Sequence, residues 1–200
     1  YKAVNKMHEF SFLIYNLVIF PIIAGLLVVN KDFVSFFLGK DFQAANIAIA
    51  IMVFRMFFIG WTNIMGIQIL IPHNKHREFM LSTTIPAFVS VGLNLLLIPP
   101  FGFIGASIVS VLTEALVWVI QLNFARKFMK DVSILPAMSK IIIASVVMYL
   151  GLFVFRTFVQ FKPMLNVAVD GFVGAIIYLI LIVVLRVLDV RDLKEQLMKN

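Results

Sequence analysis

The sequence predicts an all-α membrane protein with six transmembrane helices. Composition is the first observation behind this: 62% of the 200 residues are hydrophobic, 14% are charged, and the mean hydropathy is +1.04. A soluble domain is nearer half apolar and a quarter charged, and a chain of this size still needs a wetted surface. Lipid is the solvent that suits the excess. The second observation is the length of the apolar runs. About 20 apolar residues cross about 30 Å of hydrocarbon, and six runs qualify, at about 10–29, 44–71, 80–98, 103–121, 141–159 and 165–185. The third is that the short dyad alternation of an outer-membrane barrel does not occur. Backbone amides in lipid must bond internally, so the runs are helices.

In chain order, the first run follows a basic entry segment with Lys2 and Lys6, and it holds Pro21, which predicts a kink. VSFFLGKDFQAA (34–45) reads as an outer hairpin leading into the second run, which carries Arg55, Asn63 and Gln68. The basic loop PHNKHREF (72–79) leads to the third run, with Thr83, Thr84, Pro86, Ser90 and Asn94. Pro99, Pro100 and Gly102 form a tight reversal into the fourth run. A basic stretch containing Arg126, Lys127, Lys130 and Lys140 precedes the fifth run, and the sixth ends at about Leu185. In the tail, 186–200, Leu188, Leu193 and Leu197 fall near one helical face among charges, which predicts a segment lying on the inner membrane surface.

Charge gives orientation. Of the 17 Lys and Arg, 12 lie on the side of the two termini, four on the other side (Lys31, Lys40, Arg156, Lys162), and Arg55 is inside a run. The bias predicts that both ends of the chain are cytoplasmic. The net charge of +7 belongs to these flanks and does not point to a nucleic-acid partner. Cysteine is absent, which excludes disulfides and thiolate metal sites. His73 and His76 have no further ligand grouped nearby, so no metal is expected. Ser107 has no histidine at its depth to act as a base, and no phosphate-binding Gly-rich loop ends in Lys-Ser or Lys-Thr. The expectation is a protein that is not an enzyme and has no cofactor. The chain begins at Tyr1 without a cleavable signal, as the back part of a longer protein would.

Two residues break the hydrocarbon most sharply. Arg55 is eleven residues into the second run and Glu114 eleven into the fourth, so each lies about 16 Å deep at 1.5 Å per residue. A carboxylate there costs about 2.5–3.5 kcal/mol on insertion scales, and such charges face a partner or water rather than lipid. Opposite charges at one depth predict either an ion pair that joins two helices or a hydrated cavity in which Arg55 meets an anionic ligand and Glu114 balances it. Asn63, Gln68 and Asn94 are the further candidates for such a cavity. Ser and Thr are expected to bond across helices.

Three stretches carry a resemblance: VSFFLGKDFQAA (34–45), QILIPHNKHREF (68–79) and NLLLIPPFGFIGASIVSVLTE (94–114). In this order and spacing they resemble the C-terminal half of Wzx-type oligosaccharide flippases, polysaccharide biosynthesis proteins of the multidrug/oligosaccharidyl-lipid/polysaccharide exporter superfamily. The resemblance implies one six-helix lobe of a MATE-like two-lobe transporter in the bacterial cytoplasmic membrane, with the N-terminal lobe as its partner. It implies an undecaprenyl-diphosphate-linked oligosaccharide as substrate, moved by alternating access for capsule, O-antigen or exopolysaccharide assembly. A polysaccharide polymerase is an implied further partner beside the membrane lipids. Arg55 falls on a helix that lines the cavity in that pattern, and Glu114 matches its Thr-Glu. The doublet Pro99–Pro100 departs from the more usual single Pro. A multidrug or cation antiporter of the same superfamily is the alternative.

Overall fold

The computed structural model describes residues 2–130, 132–159 and 161–187. All the long elements are helices: α1 (Lys2–Phe37), α2 (Ala45–Asn63), α3 (His76–Ala125), α4 (Leu135–Phe158) and α5 (Pro163–Val184). A π-helix, Ile64–Leu70, continues α2 to its end. Among the described residues five helical segments are long and apolar enough to cross a membrane. The predicted tail, with Leu188, Leu193 and Leu197, lies outside the described residues.

Five continuous helical segments thus stand among the described residues where the sequence predicts six runs, because the third and fourth runs are continuous through one turn. The third and fourth predicted runs are both in α3, whose 50 residues include Pro86, Pro99 and Pro100. Both prolines of the doublet keep helical backbone angles, and only Gly102 leaves them (φ 55°, ψ −133°). Straight, such a helix would be about 75 Å long, more than twice the hydrocarbon thickness. It is not straight. Gln121 donates a hydrogen bond to Ser82 at 3.2 Å across 39 residues, so the two arms run back along each other with Gly102 at the tip. The Leu97 carbonyl occupies the place a side chain on Gly105 would need, which keeps the arms tight just past the turn. Pro21 lies inside α1 without ending it.

α1 is the centre of the bundle. It packs against α2, α4 and α5, while α3 packs against α2. Lipid tails are as apolar as leucine, so close fit rather than water exclusion holds these helices together. Gly60 on α2 shows the fit: the Tyr15 ring fills the space of its missing side chain, and the Tyr15 hydroxyl donates to the Met56 carbonyl. Near the start of α1, Phe12 packs with Trp61, Met65, Ile69 and Leu70. Farther along, Ala24 joins Ile141, Met148 and Leu152 of α4 and Tyr178 and Ile182 of α5. The outside is greasy: Phe88, Leu95 and Val183 are 76%, 73% and 76% exposed. Apolar exposure on this scale marks a surface made for lipid or a partner. The chain is a multi-pass membrane protein.

Two ends of the bundle can be told apart. Glu9 accepts a hydrogen bond from the Ser133 backbone at 2.7 Å, and Lys140 donates to the Arg186 carbonyl at 3.3 Å. These contacts gather the start of α1, the start of α4 and the end of α5. The opposite end gathers Asn30 with Asn46 and Asp32 with Asn166.

Candidate transport site

Arg55 is ten residues past the start of α2, and Glu114 is twelve past Gly102 on the return arm of α3. A rise of 1.5 Å per residue places them about 15 and about 18 Å from that end of the bundle. The hairpin at Gly102 makes the return arm run alongside α2, and the two side chains meet: an Arg55 guanidinium nitrogen donates to Glu114 Oε1 at 2.8 Å. The side chains are 36% and 19% exposed, so the pair is open on one side. The Arg55 Nε is buried and makes no hydrogen bond. A half-open ion pair halfway along a membrane helix does not face acyl chains without a large cost. This face calls for water or another polar surface.

The other predicted residues are not drawn into that contact. Asn63 and Gln68 are exposed and Asn94 is half-buried. Asn63 is on the last turn of α2 and Gln68 is in the π-helix, a local form that recurs at functional sites. The helix-borne Ser and Thr largely bond within their own helix rather than across helices: Thr113 to the Val109 carbonyl at 2.7 Å, Ser90 to Ala87 at 2.8 Å and Ser107 to Phe103 at 2.9 Å. Cross-helix bonding falls instead to amides, with Trp61 donating to Asn16 at 3.0 Å and Gln121 to Ser82 at 3.2 Å. His73 contacts the Ile69 carbonyl at 2.7 Å. Among the described residues no group of three or more His, Asp or Glu side chains could hold a metal ion.

A second ionic cluster escapes the sequence reading, which counts Arg156 only among the basic residues of the far side. Near the end of α4, Arg156 donates to Asp170 of α5 at 2.6 Å and to the Val28 carbonyl of α1 at 2.9 Å. It also pairs with Asp32 of α1. Asn166 donates to the same Asp32 at 3.2 Å, and its own carbonyl accepts from the Phe161 backbone at 2.8 Å. Asp170 is only 3% exposed. The signal for it was present: it is the single charged residue in the 22 of α5.

Two cavities lie among α1, α2 and α4, and the larger also touches Val111 of α3. One, of about 580 Å³, is walled almost wholly by apolar side chains such as Ile23, Phe57 and Val146. The other, of about 780 Å³, reaches Asn30, Lys31, Asn46 and Arg156. Both fall in the range of small-molecule sites. Neither is lined by Arg55 or Glu114.

With this geometry in place, one curated relative aligns along most of the chain. It is a protein of the archaeon Haloferax volcanii named "Probable low-salt glycan biosynthesis flippase Agl15". The two are 24% identical over 187 residues, which covers 89% of this chain and 39% of the relative. The chain thus spans about two fifths of that protein's length. No family model matches, and no solved structure does.

Proposed function

We propose that this chain forms one lobe of a transporter that turns a lipid-linked oligosaccharide from one leaflet to the other. The carrying observation is the Arg55–Glu114 pair, held at 2.8 Å and partly exposed at a depth where lipid would penalise it. A face that bears such a pair fits the wall of a hydrated cleft, and a second lobe closes that cleft. The relative supports the reading through its name, which is that of a flippase and not of an enzyme. On this proposal the end that carries most of the basic residues is cytoplasmic, and the membrane is the cytoplasmic membrane. The substrate belongs to the class of undecaprenyl-diphosphate-linked repeat units used for surface polysaccharides.

The physical need is plain. Sugar hydroxyls and phosphates entering hydrocarbon lose water without replacement bonds. A polar cleft supplies those bonds while the lipid tail stays in the bilayer, and rocking of two lobes exposes the cleft to each side in turn. Arg55 is the anion contact in this scheme and Glu114 its counter-charge. Asn63, Gln68 and Asn94 extend the polar wall.

The test uses the complete protein in liposomes with a fluorescent polyprenyl-diphosphate oligosaccharide. Arg55→Ala is expected to lower translocation by about tenfold or more, the loss of one charged contact, while insertion and folding persist. Wild-type rates in that variant remove Arg55 from the mechanism. Translocation restored in Arg55→Ala with Glu114→Ala shows that the pair only joins two helices. Uptake of lipophilic cations in place of the glycan selects the antiporter alternative.

A further inference from the structure

The two cavities share Leu27, Phe54 and Tyr149 in their walls, so they adjoin. Their chemistry differs. The smaller compartment offers hydrocarbon and aromatic rings and runs from Met138, near the start of α4, to Tyr149 at its middle. The larger lies toward the opposite end of the bundle, where Asn30, Lys31, Asn46 and Arg156 reach it.

The polar compartment holds unspent bonding capacity. Arg156 is already engaged by Asp32 and Asp170. Lys31 lines the same space and is exposed. Its ammonium makes no ion pair or hydrogen bond among the described residues. Asn30 is 7% exposed and donates to the Asn46 carbonyl at 2.6 Å. The side-chain oxygens of Asn30 and Asn46 both lack a donor, and a buried acceptor left so costs free energy. A free ammonium asks for an anion, and two buried, unpaired amide oxygens ask for hydroxyl donors. Tyr149 and Phe153 line the same compartment and offer apolar faces to a sugar ring. The neighbouring compartment asks for a hydrocarbon chain. One amphiphile answers all of these: a saccharide joined through phosphate to a prenyl chain.

We infer that the two adjoining cavities together bind the lipid-linked saccharide, with phosphate at Lys31, the first sugar at Asn30 and Asn46, and the prenyl chain in the apolar compartment. The inference rests on the proposed transport function and adds a direction to it. The head group sits at the end of the bundle away from the start of α1, and the chain runs toward the membrane centre. That is the pose of a lipid in the far leaflet, so the site serves the substrate after it has crossed. An ordinary phospholipid brings the anion and the hydrocarbon but leaves most of the polar compartment unfilled.

The test is binding to the complete protein in nanodiscs. The probes are farnesyl diphosphate carrying one N-acetylglucosamine, farnesyl diphosphate alone, and phosphatidylglycerol as competitor. Wild type is expected to prefer the sugar-bearing probe by about tenfold, the worth of one or two hydrogen bonds. Asn46→Ala abolishes that preference and leaves farnesyl diphosphate binding unchanged. Lys31→Met, at an exposed position, weakens both farnesyl probes by about tenfold. Wild-type affinities in both variants overturn the site, and so does displacement of the sugar-bearing probe by an equal concentration of phosphatidylglycerol. Translocation by wild type and by Arg55→Ala is measured separately. A wild-type protein that binds the probe through Asn46 but never translocates it overturns the transport function and not the site.

Discussion

The two ionic clusters use the same chemistry in opposite ways. Arg156 meets two carboxylates and a backbone carbonyl, so three helices converge on it, and Asp170 is 3% exposed. Arg55 meets one carboxylate, spans two elements, and stays 36% exposed with its buried Nε unbonded. The first cluster is fully engaged and anchored on a buried carboxylate, as a structural tie should be. The second is open on one side and has capacity left for something else. What separates a tie from a binding contact is therefore not the presence of charge in the membrane but how much of its bonding is already spent.

Breaking the closed cluster should have the largest effect. Asp170→Ala leaves Arg156 without its buried partner, and loss of one member of a buried pair costs about 3–5 kcal/mol. The protein is expected to melt far earlier in detergent or to fail to accumulate. Asp170→Asn keeps a hydrogen-bond acceptor and should fall between. A melting temperature unchanged by Asp170→Ala would remove the distinction between the clusters.

The open pair comes next, with the effect moved from stability to transport. Exposed ion pairs contribute about 0–1 kcal/mol, so Glu114→Ala should shift melting only slightly. Translocation in the same variant should fall severalfold, because Arg55 loses the charge that positions it. A variant that melts as early as Asp170→Ala would make the Arg55–Glu114 pair a second tie.

Much of this was legible in the sequence, for physical reasons. Apolar runs of membrane length declare their helices, since lipid tolerates no other local backbone. Charges within them stand out, and a fixed rise per residue puts Arg55 and Glu114 at one depth, where they meet. Asp170 sent the same signal from within α5 and was missed because its partner Arg156, close to a helix end, passed for a topology charge. The π-helix at Ile64–Leu70 has no compositional mark, because one extra residue per turn changes spacing and not polarity. The exposure of Asn63 and Gln68 depends on what lies against that face, which one chain's residues do not specify. The turn at 99–102 was found, but not its economy: both prolines stay helical and a single glycine reverses the chain.

That glycine gives the smallest effect and the finest test of the comparison. At φ 55° and ψ −133°, Gly102 occupies a region that side chains disfavour by about 1–3 kcal/mol. Nothing within 4 Å would obstruct an added methyl group, so Gly102→Ala should lose stability through backbone strain and not collision. The hairpin sets where Glu114 lies on the return arm, but it does not touch the Arg156 cluster of α1, α4 and α5. Its loss should therefore couple to one cluster only. Contacting or mechanically linked sites deviate from additivity and distant ones do not. Gly102→Ala with Glu114→Ala is expected to cost less than the sum of the two changes, and Gly102→Ala with Asp170→Asn to cost the sum. Melting curves of the three single and two double variants decide the matter. Coupling of Gly102 to Asp170 instead would mean that the open pair and the closed tie respond as one unit, and the division of labour between them would not hold.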